Sequence, residues 1–315
     1  MEYTRRDAGK IALAALPMGR LLAAPKSNFG GVQIGIIAPY AFRGTASSAE
    51  DILTKMTELG IGAVEMVNSA VESFAGAPSG GGRRGGRRRG QEPTPEEQAA
   101  ARRAAEELKN WRLSVSMDKF AALRQMYSDK GVRIYAFKAQ HQLRLDETMS
   151  DAEYDYCFNV AKALGASHVT MELSENSERV GRFAAKHRMH IGYHNHTQVD
   201  EQSWDAALAQ SEYNGINLDV GHFTAAISKS PIPFIQKHHA RIRSMHLKDR
   251  RYGTKGSDNL PWGEGDTPLK EVLQLIKREQ YKFPATIELE YPVPEGSDVM
   301  RELAKCFQYC QDALG

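Results

Sequence analysis

Short β-rich runs alternate with longer helical runs after residue 30, and this alternation restricts the fold more than any other feature of the chain. The eight β-rich runs are Val32–Ala38, Ala63–Val67, Arg133–Lys138, His168–Leu173, His190–His194, Gly215–Val220, Ile242–Leu247 and Ala285–Glu290. Such alternation is typical of an α/β protein with a parallel sheet, and eight repeats are the number in a (β/α)8 TIM barrel. The alternative is an open doubly wound sheet, but Ala38-Pro39-Tyr40 follows the first run instead of a Gly-rich phosphate loop.

Local signals mark the helix ends between these strands. Ser48 precedes a helical run that Gly60 ends, and Thr94-Pro95 opens another helix. The chain has 315 residues, 41% of them hydrophobic and 25% charged, which is typical of a soluble globular protein. Because a TIM barrel takes about 250 residues, residues 30–315 are predicted to form a single domain.

The first 24 residues have the pattern of an export signal. Thr4-Arg5-Arg6 precedes a short apolar run, and the segment Leu21–Ala24 ends in small residues. Paired arginines before an apolar segment are typical of a twin-arginine signal peptide. Residues 1–24 are therefore predicted to direct the protein to the periplasm, with a frayed N-terminal helix as the alternative. No membrane span is predicted after signal removal, since no apolar stretch is long enough.

A Gly/Arg tract interrupts the pattern after the second strand. Gly76–Gly90 contains seven glycines and five arginines, and such a segment cannot bury enough apolar surface to order itself. Residues 76–92 are predicted to be a disordered loop on the face where barrels carry their active sites. Contact with anions or polysaccharides is the functional alternative. A nucleic-acid partner is disfavoured, because the tract lacks aromatic residues for base stacking and the bulk of the chain is mildly acidic.

Histidines and carboxylates stand at the ends of five consecutive predicted strands. They are Glu172 on the fourth strand, His194 and His196 on the fifth, Asp219 and His222 on the sixth, His246 on the seventh, and Glu288 and Glu290 on the eighth. In a closed barrel these ends converge over the axis. Oxygen and imidazole ligands without cysteine predict one divalent ion, namely Mn²⁺, Zn²⁺, Co²⁺, Fe²⁺ or Mg²⁺, which also relieves the repulsion between carboxylates.

Four short motifs in this region resemble those of a known family. They are Gly192-Tyr193-His194-Asn195-His196, Leu218-Asp219-Val220-Gly221-His222, His246-Leu247-Lys248-Asp249 and Ile287-Glu288. In this order and spacing they resemble the sugar phosphate isomerase/epimerase family, which belongs to the xylose-isomerase-like TIM-barrel superfamily. The resemblance extends from about residue 32 to 313.

The resemblance implies a set of metal ligands. In the family, a carboxylate on strand five, an Asp on strand six, a His on strand seven and a Glu on strand eight hold one divalent metal. Asp219, His246 and Glu288 match the last three places. At strand five, His194 stands where a glutamate is expected. Either Glu172 supplies the missing carboxylate, or His194 binds the metal directly.

The remaining residues at the strand ends have predicted catalytic or binding roles. His194 is a candidate base, and His196, on the same side by strand alternation, is the alternate acid/base. Lys248 places positive charge near the substrate oxygen, and Glu290 is able to exchange roles with Glu288. The predicted substrate-binding residues are His222 and Trp262, whose ring is suited to stacking on a sugar face, although Trp262 is equally well explained as a packed loop anchor.

These predictions favour a metal-dependent isomerase or epimerase that acts on a small carbohydrate through proton abstraction next to a carbonyl. A keto-sugar lyase or dehydratase on the same site is the first alternative, because a histidine in place of one glutamate suits chemistry with a single base. A sugar-binding barrel without turnover is the second. Cleavage of DNA in the manner of endonuclease IV is disfavoured, since that chemistry needs additional histidine ligands and no histidine precedes His141. A homo-oligomer is compatible with the sequence.

Overall fold

Eight parallel strands close into a barrel in the computed structural model, which describes residues 25–78 and 94–315. The strands are β1 (Val32–Ala38), β2 (Ala63–Val67), β3 (Arg133–Lys138), β4 (His168–Glu172), β5 (His190–His194), β6 (Asn214–Asp219), β7 (Ile242–Leu247) and β8 (Ala285–Ile287). Each strand pairs with the next, and β8 pairs with β1. The predicted (β/α)8 TIM barrel is therefore confirmed. The predicted export signal and most of the predicted disordered loop lie outside the described residues.

Helices cover the barrel on its outer side. They are α1 (Ala49–Leu59), α2 (Asn68–Phe74), α3 (Pro95–Ser114), α4 (Asp118–Ser128), α5 (Asp151–Ala163), α6 (Ser177–His187), α7 (Asp205–Gln210), α8 (Val220–Ile227), α9 (Ile232–His238), α10 (Leu269–Arg278) and α11 (Val299–Leu314). Two short antiparallel pairings join Asn28–Phe29 to β1 and Asn259–Leu260 to Asp249–Arg250. Within the described part of the chain, no helix combines the length and the apolar character needed to cross a membrane.

The helix ends use the capping residues that the sequence predicts. The Ser48 side chain accepts a hydrogen bond from the backbone N–H of Asp51 at 3.1 Å, and Gly60 ends α1 with a φ of 76°. This left-handed conformation favours glycine. Thr94 and Glu97 form a reciprocal capping box at the start of α3, which satisfies two backbone donors that would otherwise lack partners.

Helices α2 and α8 do not follow from the sequence pattern. Helix α8 begins directly after β6 with the residues Val220-Gly221-His222-Phe223-Thr224, which are poor helix formers. Its N-cap is Asp219, whose Oδ1 accepts the backbone N–H of His222 at 2.7 Å. A good cap therefore starts the helix where local propensity opposes it, and it also turns the second carboxylate oxygen of Asp219 toward the barrel mouth.

The strands carry apolar side chains on the face that packs against the helices and several polar side chains on the face inside the barrel. Val64 on β2 and Ile216 on β6 are fully buried, and strand alternation directs both toward the helices. In contrast, Glu65 on β2 and Asn217 on β6 are buried side chains that lie within hydrogen-bond distance of each other. Since β2 and β6 are not neighbours in the sheet, their contact places both side chains inside the barrel, below the ends where the predicted site residues lie.

Candidate metal centre

Four potential ligands meet at the carboxyl ends of β5 to β8. Ligand atoms of His194, Asp219, His246 and Glu288 all lie within 4.8 Å of one another, and all four residues are buried. Strand register brings them together, because Asp219 is the partner of His246 in the pairing of β6 with β7. We call these four residues the donor cluster.

His246 lies between two carboxylates. Its Nδ1 is 2.7 Å from Oε2 of Glu288, and its Nε2 is 2.8 Å from Oε2 of Glu65. Burial by itself would lower the pKa of His246, but the charges of Glu65 and Glu288 raise it to about 10. Burial would similarly raise the pKa of Glu65, but the charge of His246 and its hydrogen bond lower it to about 2. Glu65 is therefore ionised at neutral pH.

Lys248 is a buried cation beside the donor cluster. Its Nζ lies 3.0 Å from Asp219 Oδ2, 3.1 Å from Glu288 Oε2 and 2.8 Å from Glu290 Oε2. Burial opposes the charge of this ammonium group, but the three carboxylates outweigh it and raise the pKa of Lys248. Helix α8 passes so closely that a Cβ on Gly221 would overlap the Lys248 side chain. Glycine is therefore required at position 221 for α8 to pack this closely against Lys248.

Glu172 and His196 form a separate pair at the wall of the site. Oε2 of Glu172 lies 3.0 Å from Nε2 of His196, and its Oε1 lies 3.1 Å from Nζ of Lys138. Burial would raise the pKa of Glu172, but the hydrogen bond to His196 and the charge of Lys138 lower it far below its usual range. The hydrogen bond to Glu172 raises the pKa of His196 against the opposing effect of burial.

His194 and His222 are the uncharged histidines of the site. Nδ1 of His194 lies 2.8 Å from Oδ1 of Asn217, and burial, followed by the charge of Lys138, lowers its pKa well below the usual value. His222 lies 3.1 Å from Nζ of Lys248 and 2.5 Å from Nη1 of Arg250. Burial and the charge of Lys248 lower the pKa of His222 to about 3.

A cavity of about 610 Å³ opens above the donor cluster. Its polar lining consists of Tyr40, Arg43, Lys138, Gln140, Glu172, His194, His196, Asn259, Glu288 and Glu290. Such a volume suits a small organic molecule. The mixture of cations, carboxylates and amides on its walls suits a ligand rich in hydroxyl or carbonyl groups.

Comparison with known proteins identifies the family. Residues 104–310 match the family described as xylose isomerase-like TIM barrel, which is about two thirds of the chain. The chain belongs to this family. The resemblance inferred from the strand-end motifs is therefore confirmed. A search of curated proteins found no significant match.

Several solved structures of other proteins have the same fold as this chain. The probable 3-DHS dehydratase AsbF of Bacillus anthracis has a TM-score of 0.62 and 13% identity, with 89% of this chain and 99% of that chain covered. A sugar phosphate isomerase/epimerase of Parabacteroides distasonis has a TM-score of 0.56 and 15% identity, covering 90% and 95%. The IolI protein, in a structure with a zinc atom, has a TM-score of 0.57 and 14% identity, covering 90% and 98%.

The donor cluster of this xylose isomerase-like barrel fits a divalent ion. Two imidazoles and two carboxylates are the ligand types that Zn²⁺ and the first-row divalent metals accept. Their spread of 4.8 Å is close to the roughly 4.4 Å that two metal–ligand bonds of about 2.2 Å can span. Oδ2 of Asp219 is buried and accepts no hydrogen bond from the described residues, although the Lys248 ammonium lies beside it. The similar solved structures therefore support the fold, whereas the fit to a metal ion is argued from the side chains of this chain.

The structure places the other predicted residues around this cluster in distinct positions. Glu172 lies outside the donor cluster, whereas His194 lies within it, so the geometry favours the alternative in which His194 is a ligand. Lys248 and Glu290 pair with each other beside Glu288. Trp262 packs edge-on against Tyr309 with ring centroids 5.8 Å apart, and it lines a separate cavity of about 240 Å³. The central cavity thus lacks Trp262 among its lining residues.

Three buried polar residues near the site escaped the sequence analysis. Glu65 and Lys138 lie within otherwise largely apolar strands, and Asn217 lies inside β6. The sequence signal for such residues is a charged or amide side chain inside a strand whose other residues are predicted to be buried. A folded protein tolerates a buried polar group only when that group has a hydrogen-bond or charge partner. Asp249, in contrast, has a structural role, because its carboxylate accepts the backbone N–H groups of Gly263, Gly265 and Thr267.

Proposed function

We propose that this protein is a divalent-metal-dependent enzyme that acts on a sugar or sugar derivative by removing a proton next to a carbonyl. The observation that supports the proposal is the donor cluster at the floor of a polar cavity, together with membership of the xylose isomerase-like TIM barrel family. Isomerisation or epimerisation is the proposed outcome. A keto-sugar lyase or dehydratase is the second candidate, because the replacement of a carboxylate by His194 leaves fewer carboxylate bases at the site.

His194, Asp219, His246 and Glu288 are the proposed ligands. When bound, the ion would supply Lewis-acid polarisation of a substrate oxygen. Lys248 adds a fixed positive charge on the same side, held by Asp219, Glu288 and Glu290. A substrate oxygen that gains negative charge during proton removal is stabilised by such a preorganised cation in a buried site.

We propose two groups outside the donor cluster for proton transfer. His196 lines the central cavity, and Glu172 holds one of its ring nitrogens. Glu290 also lines this cavity and is held by Lys248. We propose His196 as the principal acid/base, because imidazole titrates close to neutral pH. Glu290 serves as the partner on the Lys248 side.

The proposal is tested by metal analysis followed by isotope exchange. The purified protein is expected to contain one divalent ion per chain, and incubation with keto- and aldo-sugars in deuterated water is expected to incorporate deuterium at one substrate carbon. A chelator should remove both the ion and the exchange. Deuterium exchange in a product that keeps every substituent of the sugar indicates isomerase or epimerase chemistry, whereas loss of a substituent indicates a lyase. Tight sugar binding with no exchange in any sugar would instead support a binding protein and refute the enzyme proposal.

The pairing of His196 with Glu172 predicts a specific pH effect. Since the hydrogen bond to Glu172 raises the pKa of His196, Glu172→Gln is expected to lower that pKa. Activity that depends on protonated His196 should then decline at a lower pH than in the wild type as pH rises. The measurement is the pH dependence of deuterium exchange. Glu175→Gln, at an exposed position nearby, should leave the profile in place, and an unchanged profile in both variants would exclude His196 as the acid.

A further inference from the structure

Glu65 is a buried carboxylate directly below the donor cluster. It has no exposed surface, and three side chains surround its carboxylate. Nε2 of His246 lies 2.8 Å from its Oε2, the Thr170 hydroxyl donates to its Oε1 at 2.6 Å, and Nδ2 of Asn217 donates to its Oε2 at 3.4 Å. Its two oxygens thus face the hydroxyl of Thr170, the amide nitrogen of Asn217 and a ring nitrogen of His246, and a carboxylate in such surroundings accepts hydrogen bonds from all three.

The contact with Glu65 decides which nitrogen of His246 keeps its hydrogen when the ring is neutral. Because Glu65 only accepts, Nε2 of His246 must donate to it. The other nitrogen, Nδ1, faces Glu288 at 2.7 Å, within the donor cluster. When His246 is neutral, its lone pair is therefore on Nδ1, the nitrogen that faces the cluster. A carboxylate that fixes the far nitrogen of a metal-binding histidine is a recurrent arrangement in metalloproteins.

Glu65 also orients His194, through Asn217. The amide nitrogen of Asn217 must face Glu65, since an amide oxygen there would repel the carboxylate. The same nitrogen lies 2.6 Å from the Ser244 hydroxyl. The amide oxygen consequently faces Nδ1 of His194 at 2.8 Å, and that nitrogen must carry hydrogen. Nε2 of His194 is left with the lone pair that a ligand needs.

The strand ladders support this arrangement. The pairing of β2 with β3 shifts register between Val64 and Glu65, and the pairing of β6 with β7 shifts between Ile216 and Asn217. Irregularities of this kind re-aim side chains and are common beside active sites. In each ladder the extra residue lies on the partner strand, Tyr135 in β3 and Arg243 in β7, beside the residues Glu65 and Asn217 that contact the two histidines.

We propose that Glu65 is a positioning residue that sets the tautomers of both histidines of the donor cluster, His246 directly and His194 through Asn217. This inference rests on the proposed role of the cluster as a metal site. One buried carboxylate on β2 thereby prepares two ligands that lie on β5 and β7. Glu65→Gln retains the shape of the side chain, but its amide is able to donate to Nε2 of His246 and so places hydrogen on the wrong nitrogen.

The test combines a readout of tautomers with a readout of metal binding. Histidine ¹⁵N NMR of the metal-free protein is expected to show His194 protonated at Nδ1 in the wild type and a changed or mixed state in Glu65→Gln. Titration with Zn²⁺ is expected to show affinity reduced by about 10- to 100-fold in the variant, and the visible spectrum of the Co²⁺-loaded protein should change. Glu302→Gln is the matched control, because Glu302 is an equally buried carboxylate that accepts hydrogen bonds from Tyr291, Ser297 and Lys305, away from the donor cluster.

The outcomes separate this inference from the proposed function. A wild type that binds neither Zn²⁺ nor Co²⁺ refutes the metal centre, while the NMR result still decides the role of Glu65. A folded Glu65→Gln protein with wild-type tautomers and wild-type Zn²⁺ affinity refutes the positioning role. If Glu65→Gln does not fold, Asn217→Ser decides the matter, since it should release Nδ1 of His194 without altering the Glu65–His246 contact. An unchanged tautomer of His194 in the Asn217→Ser protein would contradict the proposal.

Discussion

Asp219→Asn is expected to abolish stoichiometric binding of a divalent ion and to reduce deuterium exchange by about a thousandfold or more, the equivalent of several kcal/mol of transition-state stabilisation. The two oxygens of Asp219 have separate tasks. Oδ1 caps α8 by accepting the N–H of His222, whereas Oδ2 faces the donor cluster and Lys248. Asparagine retains an oxygen for the cap but removes the negative charge, so the fold should persist while the site loses a ligand.

The measurement is metal content by elemental analysis, with circular dichroism to verify folding. Asp298→Asn is the matched control, because Asp298 is also an N-cap aspartate, accepting the backbone N–H of Arg301 at 2.9 Å at the start of α11. It should retain a full complement of metal. A folded Asp219→Asn protein that still holds one ion per chain with wild-type affinity would show that the ion binds elsewhere.

Glu72→Ala is expected to lower the free energy of unfolding by about 3–5 kcal/mol, because it leaves Arg112 buried without its counter-charge. The guanidinium of Arg112 contacts both oxygens of Glu72, at 2.7 and 3.0 Å. Asn68 and Tyr156 donate to the same carboxylate at 3.0 Å each. Both partners of the ion pair have side chains at most 6% exposed, so water cannot replace the lost contacts.

Urea denaturation of the wild type and of Glu72→Ala measures this loss in the free energy of unfolding. Glu178→Ala is the appropriate comparison, since Glu178 pairs with Arg182 one turn along the exposed face of α6. Exposed ion pairs contribute about 0–1 kcal/mol, and this variant should unfold close to the wild type. If the two variants lost equal stability, the buried pair between α2 and α3 would not be a main support of this side of the barrel.

The fold could be predicted from the sequence because its signals are local. The apolar runs at β1 and β2, the cap at Ser48 and the capping box at Thr94 each depend on residues within a few positions of one another. The missed helix α8 shows the limit of such signals. Its residues have weak helix propensity, and it forms because Asp219 caps it and the barrel packs around it.

The donor cluster could be predicted in part. Asp219, His246 and Glu288 each stand at a strand end, and parallel strands bring such ends together once a barrel is assumed. The choice between Glu172 and His194 required the structure, because it depends on how far each side chain reaches across the barrel mouth. The separation of Trp262 from the central cavity likewise depends on how the loop after β7 packs against α11.

The sequence by itself determined the eight-stranded barrel, the boundaries of its capped helices and the edge at which its chemistry gathers, because backbone periodicity, capping and strand-end position are local properties. Only the tertiary structure decided which side chains share that edge. Glu65 and His246 are 181 positions apart, and Glu65 and Asn217 are 152 apart. Such contacts exist only after the barrel has closed, since closure places side chains from opposite strands in one water-excluded interior where each buried charge must find its partner.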